Sequence, residues 1–280
     1  MFMSAPRISF YLTLAAALLL NACTDVVKIA LPSTAPVLSV DGWLTDRAQP
    51  DTILLTQTQN YFNSNPNPVV SGAVLNLTSS DGQNEALKEL VAGKYVISAT
   101  RARAGITYTL NISYLTQQYT GTTLVARSSP RLDSIRFLYQ QKGLRVDTSG
   151  LYTALYGQEL KGPGDHVRFI LYRNGRLANR VTDLNVLSDQ AIDGQYLSKF
   201  QVEQRSPFLP GDFITLQAWS LSPDSYGFYT DLETQLNNGG IFSKTPVNVR
   251  CNLHNVNARG TAITGYFGSS LVTSLSSAAY

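Results

Sequence analysis

Residues 71–90 read SGAVLNLTSSDGQNEALKEL. Ala73, Leu75 and Leu77 alternate with Val74, Asn76 and Thr78. A period of two is that of a strand with one face buried. Asp81-Gly82 then interrupts the alternation. This dipeptide predicts a two-residue type I′ hairpin, because that turn needs positive φ at both central positions. A helix would instead repeat its apolar residues every three or four, and no long window of this part of the chain does so.

Strand patterns continue on both sides. Downstream come AGKYVISA, GITYTLNISY and QYTGTTLVA, with Gly93 and Gly105 at the turns. Upstream, VLSVDGWLTD supplies Val37-Leu38-Ser39-Val40, a bend at Asp41-Gly42, and Trp43-Leu44; DTILLTQTQNYF is a second candidate. NSNPNPVVSG is a polar, proline-rich loop. About seven short strands spaced near ten residues apart predict a β-sandwich over residues 37–127.

RSSPRLDSI marks a boundary near 127–131, and residues 128–280 are expected to form a second β-sandwich domain. In GDHVRFILYRNGRLANRV, Val167, Phe169 and Leu171 alternate with Arg168, Ile170 and Tyr172, and Asn174-Gly175 is again a type I′ signal. DGQYLSKFQVE and GDFITLQAWSL add strands. One helix is expected near 223–237. Ser222 caps it, Pro223 suits its first position, Asp224 suits its positive end, and Gly239-Gly240 stops it. Tyr226, Tyr229, Leu232 and Leu236 then share one face, predicted to pack on a sheet.

The N-terminus carries a different signal. Arg7 is the only charge before Asp25, and a short apolar run from Ile8 to Leu20 follows it. The run is too short to span a bilayer, which needs about 20 residues. A basic start, a short apolar core and small residues at its end read as a secretory signal peptide over residues 1–22. It stops at Leu20-Asn21-Ala22-Cys23, which resembles the bacterial lipobox. That resemblance implies a diacylglycerol on the Cys23 thiol, cleavage before Cys23, and attachment to membrane lipid. Residues 23–36, with two prolines and several small residues, read as a tether. The formal net charge is +3, falling to +2 without Arg7. This is no nucleic-acid footprint, which needs a clustered basic face. Only Cys251 remains as a free thiol, so no internal disulfide forms and the core must hold the fold.

Candidate chemistry is sparse. Cys251 and His254 stand at C-x-x-H spacing, but a structural zinc needs four ligands and His166 is the only other histidine. A buried, inert cysteine is the simpler expectation. No G-x-S-x-G occurs. Asp189, Asp193 and Glu203 are acids that could meet in space for sugar hydrolysis, although spacing alone does not bring them together. SDQAIDGQ has the acidic, glycine-containing look of a calcium loop without its alternation of acids, so a solvated turn is expected. No cofactor, metal or catalytic residue is expected. Two binding candidates stand out. A turn at Asn174-Gly175 sets Arg173 opposite Arg176, like charges that repel across a ribbon also carrying Arg168 and Arg180. The tip is either solvated or meets an anionic partner. Tyr152 and Tyr156 are candidates for stacking on a ligand.

The ordered set formed by the lipobox, LSVDGWLTD, VSGAVLNLTSSDG, AGKYV, GITYTLNI, RLDSIRF, RFILYRNG, DGQ, GDFITLQAWSLSPDSYGFYTDLE, NNGGIFSKTPVNV and TGYFGSS resembles a Bacteroidota lipoprotein family known as domain-of-unknown-function 4249. The first half is also similar to transthyretin-like and immunoglobulin-like modules. The resemblance implies a cell-envelope lipoprotein of the outer membrane, a non-enzymatic accessory partnered with a TonB-dependent β-barrel transporter. It carries over no catalytic residue. An envelope hydrolase acting on glycan or peptide, and an adhesin or structural lipoprotein, are the alternatives.

Overall fold

The computed structural model describes residues 35–60, 63, 65–125, 127–144, 146–178, 184–202, 206–237, 248–257 and 259–280. Its strands are β1 (Leu38–Thr45), β2 (Asp51–Gln57), β3 (Val74–Ser79), β4 (Asn84–Val91), β5 (Lys94–Ile97), β6 (Thr107–Tyr114), β7 (Gln117–Leu124), β8 (Arg131–Gln140), β9 (Gly150–Gln158), β10 (His166–Arg173), β11 (Arg176–Leu177), β12 (Asn185–Ser188), β13 (Tyr196–Phe200), β14 (Phe213–Leu221), β15 (Leu253–Asn255), β16 (Ile263–Ser270) and β17 (Val272–Ala278). One α-helix, α1 (Pro223–Leu236), lies between β14 and β15. Among the described residues the protein is mostly β with a single α-helix, as the strand patterns require.

Nine strands follow one ladder path, β15-β7-β6-β3-β4-β5-β2-β1-β16. Every second residue points inward: Leu38, Val40 and Leu44 from β1, Ile53 and Leu55 from β2, Leu75 and Leu77 from β3, Tyr108, Leu110 and Ile112 from β6. The sheet curls until its two ends nearly meet, and Asn252 bridges the gap. Its Nδ2 donates to Thr122 O (2.9 Å) and Phe267 O (2.6 Å), while its Oδ1 accepts from Phe267 N (3.0 Å). Thr123 and Ser269 hydroxyls meet across the same seam at 3.0 Å. Polar side chains thus do here what backbone ladders do elsewhere.

The remaining strands form two smaller sheets. One runs β11-β10-β14-β17, with β12 also on β10; the other runs β13-β9-β8. Ile135, Leu155, Phe169, Leu171, Ile214 and Leu216 share a core drawn from both. β16 passes through the single residue Leu271 into β17, so the two halves are joined without a flexible linker. A third cluster fills the junction. Trp43 stacks on Tyr229 (5.3 Å) and Tyr266 (6.0 Å) and meets Trp219 edge-on (6.2 Å). Helix α1 is the wedge that carries Tyr229. Ser222 Oγ accepts from Ser225 N (3.1 Å), Pro223 opens the first turn, and Asp224 accepts from the Tyr266 hydroxyl at 2.6 Å.

Several sequence expectations change in three dimensions. Residues 36–280 form one compact unit, and the segment expected to belong to a second domain returns at 253–270 to complete the first sheet. The first half is therefore a continuous, curled sheet that needs both ends of the chain, where a self-contained sandwich over 37–127 was expected. Asp41-Gly42 makes no bend: β1 runs straight through it, with Gly42 packed against Ile53. The Asp81-Gly82 hairpin forms, but as a wider turn. Gly82 has φ +91° and Asp81 is not in the left-handed region, while Gly82 N donates to Ser79 O and Ser79 N to Gln83 O. Asn174-Gly175 does have positive φ at both positions (51° and 78°). Tyr229 is buried and Tyr226 and Leu232 pack beside it, whereas Leu236 is exposed. Gly239-Gly240 lie outside the described residues.

Candidate functional site

The register of two strand pairs assembles an acidic cluster that no single segment announces. β10 pairs with β12 so that His166 faces Ser188, which sets the preceding Asp165 opposite the following Asp189. Asp189 N donates to Asp165 O at 3.0 Å. β9 pairs with β13 through Gln158 and Tyr196, bringing Glu159 alongside: its N donates to Gln195 O at 3.1 Å. Carboxylate oxygens of Glu159, Asp165 and Asp189 then lie within 4.8 Å of one another.

Backbone amides hold two of these acids. Asp189 Oδ2 accepts from Gly164 N (2.8 Å) and Asp165 N (2.9 Å), and Glu159 Oε2 accepts from Gly194 N (2.5 Å). Asp165 is held by charge instead, with Arg127 Nη1 at 3.0 Å from its Oδ2. Arg127 also donates to Gly162 O (2.7 Å) and Lys161 O (2.8 Å), pinning the glycine-rich loop. Burial pushes the Glu159 carboxyl above its ordinary range. Asp165 and Asp189 push it the same way, and the Gly194 amide opposes. Burial also raises Asp165, against the pull of Arg127. His166 is lowered by burial, partly offset by Asp189, and its ring packs on Tyr226 at 4.3 Å. The space beside these groups is about 10 Å³, room for about one water or one monatomic ion. Three carboxylates around such a space are the donor set of a hard cation. A sugar ring does not fit there.

The raised carboxyl groups have a sign that can be tested. A group that holds its proton more tightly when folded adds stability below its unfolded pKa and loses it as pH rises through the folded value. Glu159→Gln keeps an oxygen acceptor for Gly194 N and removes the charge. In chelator-containing buffer its melting temperature should match the parent near pH 4 and exceed it by about 2–4 °C at pH 8. A variant less stable than the parent at every pH would show that the carboxylate itself holds the loop.

The sequence singled out Asp189 and Asp193 but missed Glu159 and Asp165. The readable signal was two acids flanking a Gly-Pro-Gly loop in ELKGPGD. Asp193 does not join the cluster; it accepts from Gly162 N at 2.7 Å. Glu203 lies outside the described residues, as does Cys23.

The arginine hairpin forms, with Arg173 directly opposite Arg176, but it is not a cationic ribbon. Arg173 pairs with Asp212 and lies over Phe208. Arg168 sits on the other face of β10, over the Tyr229 ring at 4.4 Å, with Nη1 donating to its hydroxyl at 2.6 Å. Arg180 lies outside the described residues. Of the hairpin's described arginines only Arg176 is exposed, at the tip, beside an open groove of about 540 Å³ that Leu177, Ala178 and Phe208 also line. Tyr152 is unsuited to stacking, being buried with its hydroxyl on Thr148 O (2.8 Å); Tyr156 is half-buried. Cys251 is an exposed residue rather than a core one. Its thiol nevertheless turns inward, donating toward Leu253 O (3.5 Å), and burial of the sulfur raises its pKa. His254 is exposed on β15.

A curled nine-stranded sheet closed by its own C-terminal strands, with a smaller β unit wedged against it by one helix, defines the class. The chain belongs to the family described as Domain of unknown function (DUF4249), which it matches over residues 24–276. A comparison with curated proteins finds no match.

Proposed function

We propose that this is a lipid-anchored protein of the cell envelope, acting as a ligand-binding or assembly accessory of a TonB-dependent outer-membrane transporter. The observation that carries the reading is Leu20-Asn21-Ala22-Cys23, a lipobox-like stop to an apolar run, placed just ahead of a folded unit that begins at Pro36. Two or more acyl chains anchor stably where one does not, since each buried methylene contributes about 0.8 kcal/mol. Tethering in the membrane plane raises the effective concentration beside a barrel partner without any new contact. The groove beside Arg176 has the size of a ligand site and supports the binding part of the reading. The hydrolase alternative finds less support, because the paired acids enclose space for about one water.

Affinity purification of the acylated protein from mild-detergent extracts of its native membrane, followed by mass spectrometry, tests this. A stoichiometric β-barrel partner is the expected result. Recovery of the protein alone, from extracts in which other envelope complexes survive, would overturn the accessory role.

A further inference from the structure

We propose that the end of the nine-stranded sheet at which the chain enters from the tether is a membrane-contact surface, seated on the bilayer that holds the acyl chains of Cys23. The inference rests on the lipid-anchor reading above and adds an orientation to it. Strand direction alternates along the ladder, except at the parallel β1–β16 pair. One end therefore gathers the start of β1 and the described residues of the connections, 58–60, 63, 65–73, 92–93, 115–116, 256–257 and 259–262. The opposite end gathers the links to the rest of the molecule: 125 and 127–130, 251–252 and Leu271. That end is occupied. Val272 N donates to Asp46 Oδ1 (2.8 Å) there, and Arg47 lies over Trp219 (4.8 Å).

The tether-side end carries exposed apolar side chains on every one of its connections or beside it. Fractional exposures are Val69 53%, Val74 68%, Leu90 70%, Val91 59%, Leu115 85% and Val256 52%. Scattered exposed hydrophobics are ordinary, but a concentration on one face marks an interaction site. Charge is thin here. Residues 57–73 and 113–118 contain no Asp, Glu, Lys or Arg. Glu89 is taken up by the amides of Gly72 (3.0 Å) and Gly93 (2.7 Å). Lys94 and Arg259 are exposed at the same end, the sign that anionic headgroups attract.

Leu115 adds an independent observation. It holds φ +53° at the first position of the two-residue turn between β6 and β7, where glycine is the ordinary occupant. A bulky side chain held in that conformation and 85% exposed adds little burial to the fold, and backbone strain of this kind clusters at functional sites. The tether's length favours lipid as the occupant. Covalent geometry limits the reach of the 13 residues 23–35 to about 45 Å at most. The free end of the sheet therefore stays within reach of the headgroups.

The test uses the full acylated protein, its N-terminal peptide checked by mass, in phosphatidylethanolamine–phosphatidylglycerol vesicles. Nitroxide labels are placed singly at Leu115→Cys and Val256→Cys, and at Leu209→Cys in the other half, each with Cys251→Ser. Oxygen collisions should exceed those of a water-soluble nickel chelate at positions 115 and 256, and the order should reverse at 209. Leu115→Gly should retain the parent's melting temperature while bringing the 256 label closer to water. Acylated protein that floats with vesicles while both labels stay aqueous would overturn the contact surface and leave the anchor standing. Protein that lacks acyl groups, yet still shows lipid-exposed labels when mixed with vesicles, would remove the anchor and keep the surface. Labels shielded from both probes, with spin–spin broadening between copies, would assign the face to self-association and overturn the proposal.

Discussion

Replacing Trp43 with alanine is expected to lower unfolding free energy by about 3 kcal/mol. The ring is where three elements meet. It stacks on Tyr229 from α1 at an interplanar angle of 20° and on Tyr266 from β16 at 29°, and it meets Trp219 from β14 at 74°. Each such aromatic pair contributes about 0.5–1.5 kcal/mol beyond the area it buries. Gly268 leaves the space for the ring: a Cβ there would fall 2.4 Å from it. Trp43→Phe keeps part of the stack and should lose about 1 kcal/mol. Urea unfolding followed by circular dichroism measures both. A loss below 0.5 kcal/mol for the alanine variant, roughly the size of a neutral surface change, would mean that the junction is held elsewhere.

Among the described glycines, Gly265→Ala should be the most damaging methyl addition. Gly265 has φ +96° and pairs with Val40 across the parallel β1–β16 ladder. An added Cβ would sit 1.9 Å from Val40 O and 2.7 Å from Val40 N. Both obstacles are backbone, so no rotamer change relieves them, and the conformation itself disfavours any L side chain. We expect a loss above about 4 kcal/mol, large enough to abolish soluble folded protein at 37 °C. Gly143→Ala is the control. Its nearest contact would be 3.8 Å away, and it should stay within about 0.5 kcal/mol of the parent. Soluble yield and melting temperature separate the two, and a folded Gly265→Ala protein would refute the close pairing.

Local pattern carried most of the strands and the helix. The alternation in VLNLTS, the Asn174-Gly175 turn and the Ser222-Pro223-Asp224 start all act within a few residues, and all three stand in the structure. Long-range pairing was invisible. The β1–β16 ladder joins Leu38 to Ile263, and nothing in either segment names the other. Even spacing of short strands suits a sandwich and a curled sheet equally, so the arrangement of the first half could not be read. VTSLSSA was not recognised as β17, because serine fills the positions where a strand usually shows valine or isoleucine. The acid cluster escaped for the same reason as the ladder: Glu159, Asp165 and Asp189 sit on three connections that only strand register brings together.

The closure of the large sheet also governs when the molecule can become native. β1 is among the first segments of the folded unit to be synthesised, and its partner β16 is nearly the last. The Asn252 clasp joins Thr122 to Phe267, so it too waits for the far end of the chain. A nascent chain can form the β3–β4 and β6–β7 hairpins early, but it must hold an open sheet edge until residue 270 arrives. Pairings this distant in sequence are slow, and the waiting edge is a place for unwanted association. The amino-terminal half of the folded unit is therefore completed by its late strands and cannot become native before they are present.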